Sequence, residues 1–170
     1  MKSIKRITSF LLVALLFVTT VFAGDYTTID TARTIPTNGQ AVTYKITQDD
    51  STYYGKFSVG AAGLVKFTIK KPYQGKLSYK IVASDKETVI LERDVNTTTN
   101  VASEYLPKGT FYIVITRHDG AGNATVAINY SKLANVDAEP NNSIDEAKQI
   151  NLGSKRFGVI TWNDNYDTFK

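Results

Sequence analysis

Between Val42 and Tyr130 apolar and polar residues alternate with a period of mainly two. Val65, Phe67 and Ile69 alternate with Lys66, Thr68 and Lys70, and Leu77, Tyr79 and Ile81 alternate with Ser78 and Lys80. Such a period turns one face of a strand to a core and the other to water. Further strand-like runs are Thr43–Thr47, Tyr54–Val59, Thr88–Leu91, Thr110–Thr116 and Ala124–Tyr130. Turn signals separate them: Gly60-Ala61-Ala62-Gly63, Lys71-Pro72-Tyr73-Gln74-Gly75 and Asp119-Gly120-Ala121-Gly122-Asn123. Seven or eight short strands without a long amphipathic helix predict an all-β fold, an antiparallel β-sandwich of jelly-roll-like form. Residues 110–115 are apolar on both faces, which predicts a central place in a sheet.

The pattern changes near the C-terminus. Ala138-Glu139-Pro140-Asn141-Asn142 reads as a turn, and Ser143-Ile144-Asp145-Glu146 has the S-x-x-E form of a helix-capping box. The segment TIDTARTI, residues 28–35, lines up with SIDEAKQI, residues 143–150. With one residue of slip Gly39 falls on Gly153 and Ile46-Thr47 on Ile160-Thr161, and a gap of two more places Phe57 on Phe169. The tail is therefore read as the truncated start of a second copy. In the alternative reading Phe157, Val159, Ile160 and Trp162 dock on the first sandwich as an added edge strand.

At the other end Lys2, Lys5 and Arg6 precede an apolar run from Phe10 to Val18, and Val21-Phe22-Ala23 offers small residues for a signal peptidase. The run is shorter than the roughly 20 residues a membrane span needs. A secretory signal over residues 1–23 is expected, with the sandwich over 24–131, a linker over 132–142 and the incomplete repeat over 143–170. Without the signal, 17 Lys and Arg stand against 16 Asp and Glu. The basic balance of the whole chain thus belongs mostly to the signal, and no clustered basic patch argues for nucleic acid. Cysteine is absent, which excludes disulfides and thiolate metal sites. An extracellular product without a membrane span follows, free or held at the cell surface by a partner.

Little in the chain suggests an enzyme. His118 is the one histidine, in the turn-like stretch TRHDGAGN, and Ser/His/Asp chemistry needs such a base held in place. A zinc site lacks nitrogen and sulfur ligands. The adjacent acids Asp49 and Asp50 read as loop formers.

The stretch from Glu139 to Phe169, E-P-N-N-S…A…I-x-L-G…G-x-I…D-x-F, and the run LPKGTFYIVI, residues 106–115, resemble the bacterial pre-peptidase C-terminal domain family. The first copy is divergent, with Gly24-Asp25-Tyr26 where the second has E-P-N-N. That resemblance implies a secreted, noncatalytic β-sandwich that accompanies an extracellular peptidase and binds a protein or polysaccharide polymer. Collagen-binding modules of clostridial collagenases, which look like relatives, hold calcium with a linker and an Asp-rich loop. By that resemblance Asp137, Glu139, Asn141, Asn142, Asn163, Asp164 and Asp167 become candidate Ca²⁺ ligands, all oxygen donors suited to a hard cation. A polar linker between two domains would have the same composition. The other function class is a repeat-built structural or adhesion protein of the cell surface.

Overall fold

The computed structural model describes residues 26–71, 73–134, 141–156, 158, 160, 162 and 167–170. The expected signal, residues 1–23, lies outside them. Nine strands occur among the described residues: β1 (Arg33–Thr34), β2 (Asn38–Ile46), β3 (Thr52–Val59), β4 (Gly63–Lys70), β5 (Lys76–Val82), β6 (Val89–Val95), β7 (Thr99–Leu106), β8 (Gly109–Asp119) and β9 (Gly122–Lys132). They form two sheets, ordered β1-β3-β8-β5-β6 and β2-β9-β4-β7. Strands β2 to β9 cross from sheet to sheet at every connection except the β5–β6 hairpin, which is the order of a jelly roll. All pairings are antiparallel except the short parallel contact of β1 with β3.

The two-residue period accounts for the core. Val65, Phe67 and Ile69 of β4 are fully buried against Tyr79 and Ile81 of β5, Ile113 and Ile115 of β8, and Val126 and Ile128 of β9. Burying each of these side chains contributes roughly 1.5–3 kcal/mol. At the centre Phe57 stacks on Phe111 within its own sheet and meets Phe67 of the facing sheet edge-on, both at 5.7 Å between ring centroids. One aromatic trio therefore couples the layers. Tyr79 is buried too, and its hydroxyl donates to Asn100 Oδ1 at 3.0 Å, while burial pushes its pKa up to about 12 against the opposing charge of Arg93. Strand β8 lies in the middle of the five-stranded sheet, as its apolar run predicts.

Two strands were not apparent in the sequence. β1 is only two residues long, and β7 carries small and polar residues with no strong alternation. The capping motif also behaves differently from a helix start. Glu146 N donates to Ser143 Oγ at 3.3 Å, yet the turn closes with Ala147 N donating to Ile144 O, and Lys148 then bridges Phe169 in parallel. The box caps one turn that leads into extended chain.

The end of the sandwich that carries the β4–β5 and β8–β9 connections is closed by Tyr73 and Lys71. The Tyr73 ring lies over Gly122, where a Cβ would come within 2.7 Å of it. Lys71 is 5% exposed, and its Nζ donates to Gly75 O at 2.7 Å and Tyr73 O at 3.3 Å. Carbonyl dipoles take the place of water around this ammonium.

Candidate functional site

Of the seven candidate calcium ligands, Asp137, Glu139, Asn163 and Asp164 lie outside the described residues. Asn141 is fully buried, and its carbonyl accepts a 2.7 Å bond from Thr168 N. Asp167 is half-buried with its carboxylate against Gly158, where a Cβ would collide with it. Asn142 is half-exposed beside Asn141. Asn141 is thus tied by its backbone to the residue that follows Asp167.

The bonds that hold the tail have counterparts at the start of the chain. Tyr54 N donates to Tyr26 O at 2.7 Å and Ile35 N to Lys56 O at 2.8 Å; in the tail Thr168 N donates to Asn141 O at 2.7 Å and Ile150 N to Lys170 O at 2.9 Å. Gly39 and Gly153 both have positive φ, 87° and 80°. This hydrogen bonding puts Phe169 opposite Gly55 rather than Phe57, so the extra two-residue gap in the sequence alignment is unnecessary. A Cβ at Gly55 would lie 2.5 Å from Tyr44 Oη and from Ile35 Cδ1, whereas the position matching Tyr44 is Gly158, against which the Asp167 carboxylate lies. Tyr26, Tyr44 and Tyr53, an edge-to-face aromatic row, correspond to Asn141, Gly158 and Asp167.

In the sandwich itself the β2–β3 loop is filled by a protein cation. Arg117 donates to Asp50 O at 3.0 Å and to Gln48 O at 2.7 Å, and Asp50 Oδ2 accepts from Thr47 Oγ1 at 3.2 Å. The guanidinium thus ties two carbonyls of this loop to the end of β8. Among the described residues no group of three or more His, Asp or Glu could hold a metal ion. Arg33 lies over Tyr26 and Tyr44, at 5.4 and 6.0 Å from the ring centroids, and donates to Thr43 O at 2.6 Å. Burial raises the Tyr44 hydroxyl pKa well above the ordinary tyrosine value, opposed by the Arg33 charge.

His118 belongs to the end of β8 rather than to the turn after it. Its Nε2 lies 2.8 Å from Ser78 Oγ on the outer face of the five-stranded sheet. Ser78 is 5% exposed and His118 is exposed, so the pair resembles a cross-strand polar contact on an open sheet more than a substrate cleft.

That outer face has a concave place among the described residues. Thr34, Pro36, Lys56, Ser58, Thr110 and Tyr112 surround an open depression of about 400 Å³ where β1 leaves the sheet edge. Pairing of Lys56 with Tyr112 and of Ser58 with Thr110 across β3 and β8 sets these side chains side by side, and the two hydroxyls are 3.2 Å apart. An ammonium, two hydroxyls and a phenol can hydrogen-bond and stack on an extended ligand without desolvating a buried charge. The outward positions of Lys56 and Ser58 were legible in the alternation of one predicted strand, but those of Thr110 and Tyr112 were not, because residues 110–115 are apolar on both faces. Nor did the sequence show that the two strands are neighbours.

No family model matches the chain, and no curated protein sequence does. The fold is similar to the pre-peptidase C-terminal domain of a collagenase from Bacillus anthracis, with a TM-score of 0.52 and 17% identity over 58% of this chain and 94% of that one. More distant are PliG of Aeromonas hydrophila, a periplasmic inhibitor of g-type lysozyme, TM-score 0.37 and 12% identity over 59% of this chain and 97% of that one, and a carbohydrate-binding module of Clostridium stercorarium solved with cellobiose, TM-score 0.30 and 18% identity over 58% of this chain and 71% of that one. The first of these likenesses places the chain among sandwiches with the fold of pre-peptidase C-terminal domains.

Proposed function

We propose that the chain is a noncatalytic binding module, secreted as an accessory to an extracellular peptidase, and that it grips a protein or polysaccharide polymer through the outer face of its five-stranded sheet. The observation that carries this reading is the depression beside Tyr112, Lys56, Ser58 and Thr110 on an otherwise open sheet. The shared fold with a collagenase accessory domain supports it. Retention on insoluble collagen and on cellulose tests it: Tyr112→Ala is expected to weaken retention roughly tenfold on whichever polymer is held, because aromatic anchors dominate such surfaces. Equal retention of wild type and Tyr112→Ala would remove the face from consideration. Neither polymer is expected to be cleaved.

The matched hydrogen bonds of the tail favour a second, compatible reading, a chain built of repeated sandwiches at the cell surface. In that reading residues 143–170 open a second copy, and calcium holds its entry. Support comes from the exchange of Tyr26 and Tyr53 for Asn141 and Asp167, which substitutes side-chain oxygen donors for rings at matched positions. Asp137, Glu139, Asn142, Asn163 and Asp164 complete the proposed ligand set. Calcium is then expected to protect the tail from proteolysis, since a ligand of the folded form stabilises it by mass action. Calorimetric titration of a Glu139→Gln, Asp164→Asn variant should show the binding lost; unchanged binding would reduce these acids to a polar linker.

A further inference from the structure

We propose that β7 is a pairing edge for a second copy of this chain, joining two four-stranded sheets antiparallel through residues 99–106. Free sheet edges are normally guarded, and three of the four here are. β1 is two residues long, β2 carries a register shift between Asn38 and Ala41 together with Lys45, and β6 exposes Glu92, Arg93 and Asp94 in succession. β7 is neither short nor irregular and carries no run of exposed charges; its one charge, Glu104, lies on the inner side near the end of the strand. It pairs with β4 without a register shift from Gly63↔Leu106 to Lys70↔Thr99, and it contains no proline, lysine or arginine.

The direction of its backbone groups follows from one bond. Lys71 N donates to Thr98 O at 2.8 Å, so 71 and 98 form a hydrogen-bonded pair. Such pairs alternate in an antiparallel ladder, so Asn100, Ala102 and Glu104 face β4 with their N–H and C=O groups. Thr99, Val101, Ser103 and Tyr105 turn theirs to the open edge. Local contacts agree: Thr97 Oγ1 donates to Thr99 O at 2.7 Å, and Tyr105 N donates to Glu104 Oε1 at 3.2 Å. The backbone groups of Val101 and Ser103 face outward between these two local partners.

The side chains select a second copy as the occupant, because the strand is complementary to itself. Residues opposite each other in an antiparallel pair share a face, so odd residues must meet odd ones. A two-fold axis through Ser103 sets Val101 of each copy against Tyr105 of the other. These are the exposed large hydrophobic residues of the strand, 53% and 42% exposed. Aromatic and β-branched pairs are favourable cross-strand partners. Glu104 falls opposite Ala102, so the one charge on the strand meets no like charge. Centring on Ala102 instead would leave Val101 against Ser103 and Tyr105 against Thr99. The pairing leaves the outer face of the five-stranded sheet open, so each dimer presents two copies of it.

Sedimentation velocity of the purified chain over a rising concentration series reads the association directly. Reversible dimers are expected, and Ser103→Lys, which sets two ammonium groups opposite each other on the axis, should weaken them roughly fivefold or more. A second variant gives a positive signal. The chain has no cysteine, and opposed Cα atoms of a hydrogen-bonded pair lie about 5.5 Å apart, within disulfide reach. Ser103→Cys should therefore cross-link two copies under mild oxidation. Lys66→Cys, opposite Ser103 on β4 but one strand in from the edge, should not. A monomer at every concentration, dimers indifferent to Ser103→Lys, or equal cross-linking by Lys66→Cys would each overturn the proposal.

Discussion

Phe57→Ala is expected to cost about 3–5 kcal/mol in urea-induced unfolding of the chain. The ring is 1% exposed, stacks on Phe111 and meets Phe67 across the layers, so its loss leaves a cavity at the seam of both sheets. Neither neighbour can fill that space without leaving its own contact. Total stabilities of such domains are about 5–15 kcal/mol, so the variant should stand near the edge of folding. Phe57→Leu, which keeps most of the volume, should recover the larger part. A cost below about 1 kcal/mol for Phe57→Ala would mean that the trio does not couple the sheets.

Lys71→Met is expected to lower stability by about 1.5–3 kcal/mol. The variant keeps the apolar stem, but it takes the donor from the carbonyls of Tyr73 and Gly75 in the connection that closes one end of the sandwich. Removing a desolvated charge returns part of the loss, which is why the effect should stay below that of Phe57→Ala. The neighbouring Lys70, exposed at the end of β4, provides the control. Lys70→Met should change stability by no more than about 0.5 kcal/mol. Similar costs at both positions would show that the carbonyl cradle around Lys71 contributes nothing specific.

Much of this architecture could be read from alternation alone, because most strands bury one face and expose the other. β4 and β5 illustrate it: each apolar position of Val65, Phe67, Ile69, Leu77, Tyr79 and Ile81 is buried. β7 could not be read that way. It is an edge strand whose inner side carries Asn100, Ala102 and Glu104, so its period is carried by burial and not by hydrophobicity. The S-x-x-E motif misled for a related reason: capping contacts are local, and whether a helix follows depends on the extended partner, here Phe169, that captures Lys148. The depression beside Tyr112 required knowing that β3 and β8 are neighbours although Ser58 and Thr110 are 52 positions apart in the chain, a matter of topology that alternation does not record.

The pairing of β2 with β9 has a mechanical consequence. Asn38, where the chain enters the four-stranded sheet, lies opposite Asn129, close to where β9 leaves it at Lys132. Tension applied between the two ends of the sandwich therefore loads this ladder pair by pair from one side, as a zipper opens, instead of sliding all its bonds at once. The two-residue β1, with Arg33 laid over Tyr26 and Tyr44, is a clasp that must release before the zipper can run. In a chain of such sandwiches each unit would hang from the line of force by neighbouring ends and yield as a soft extensible link.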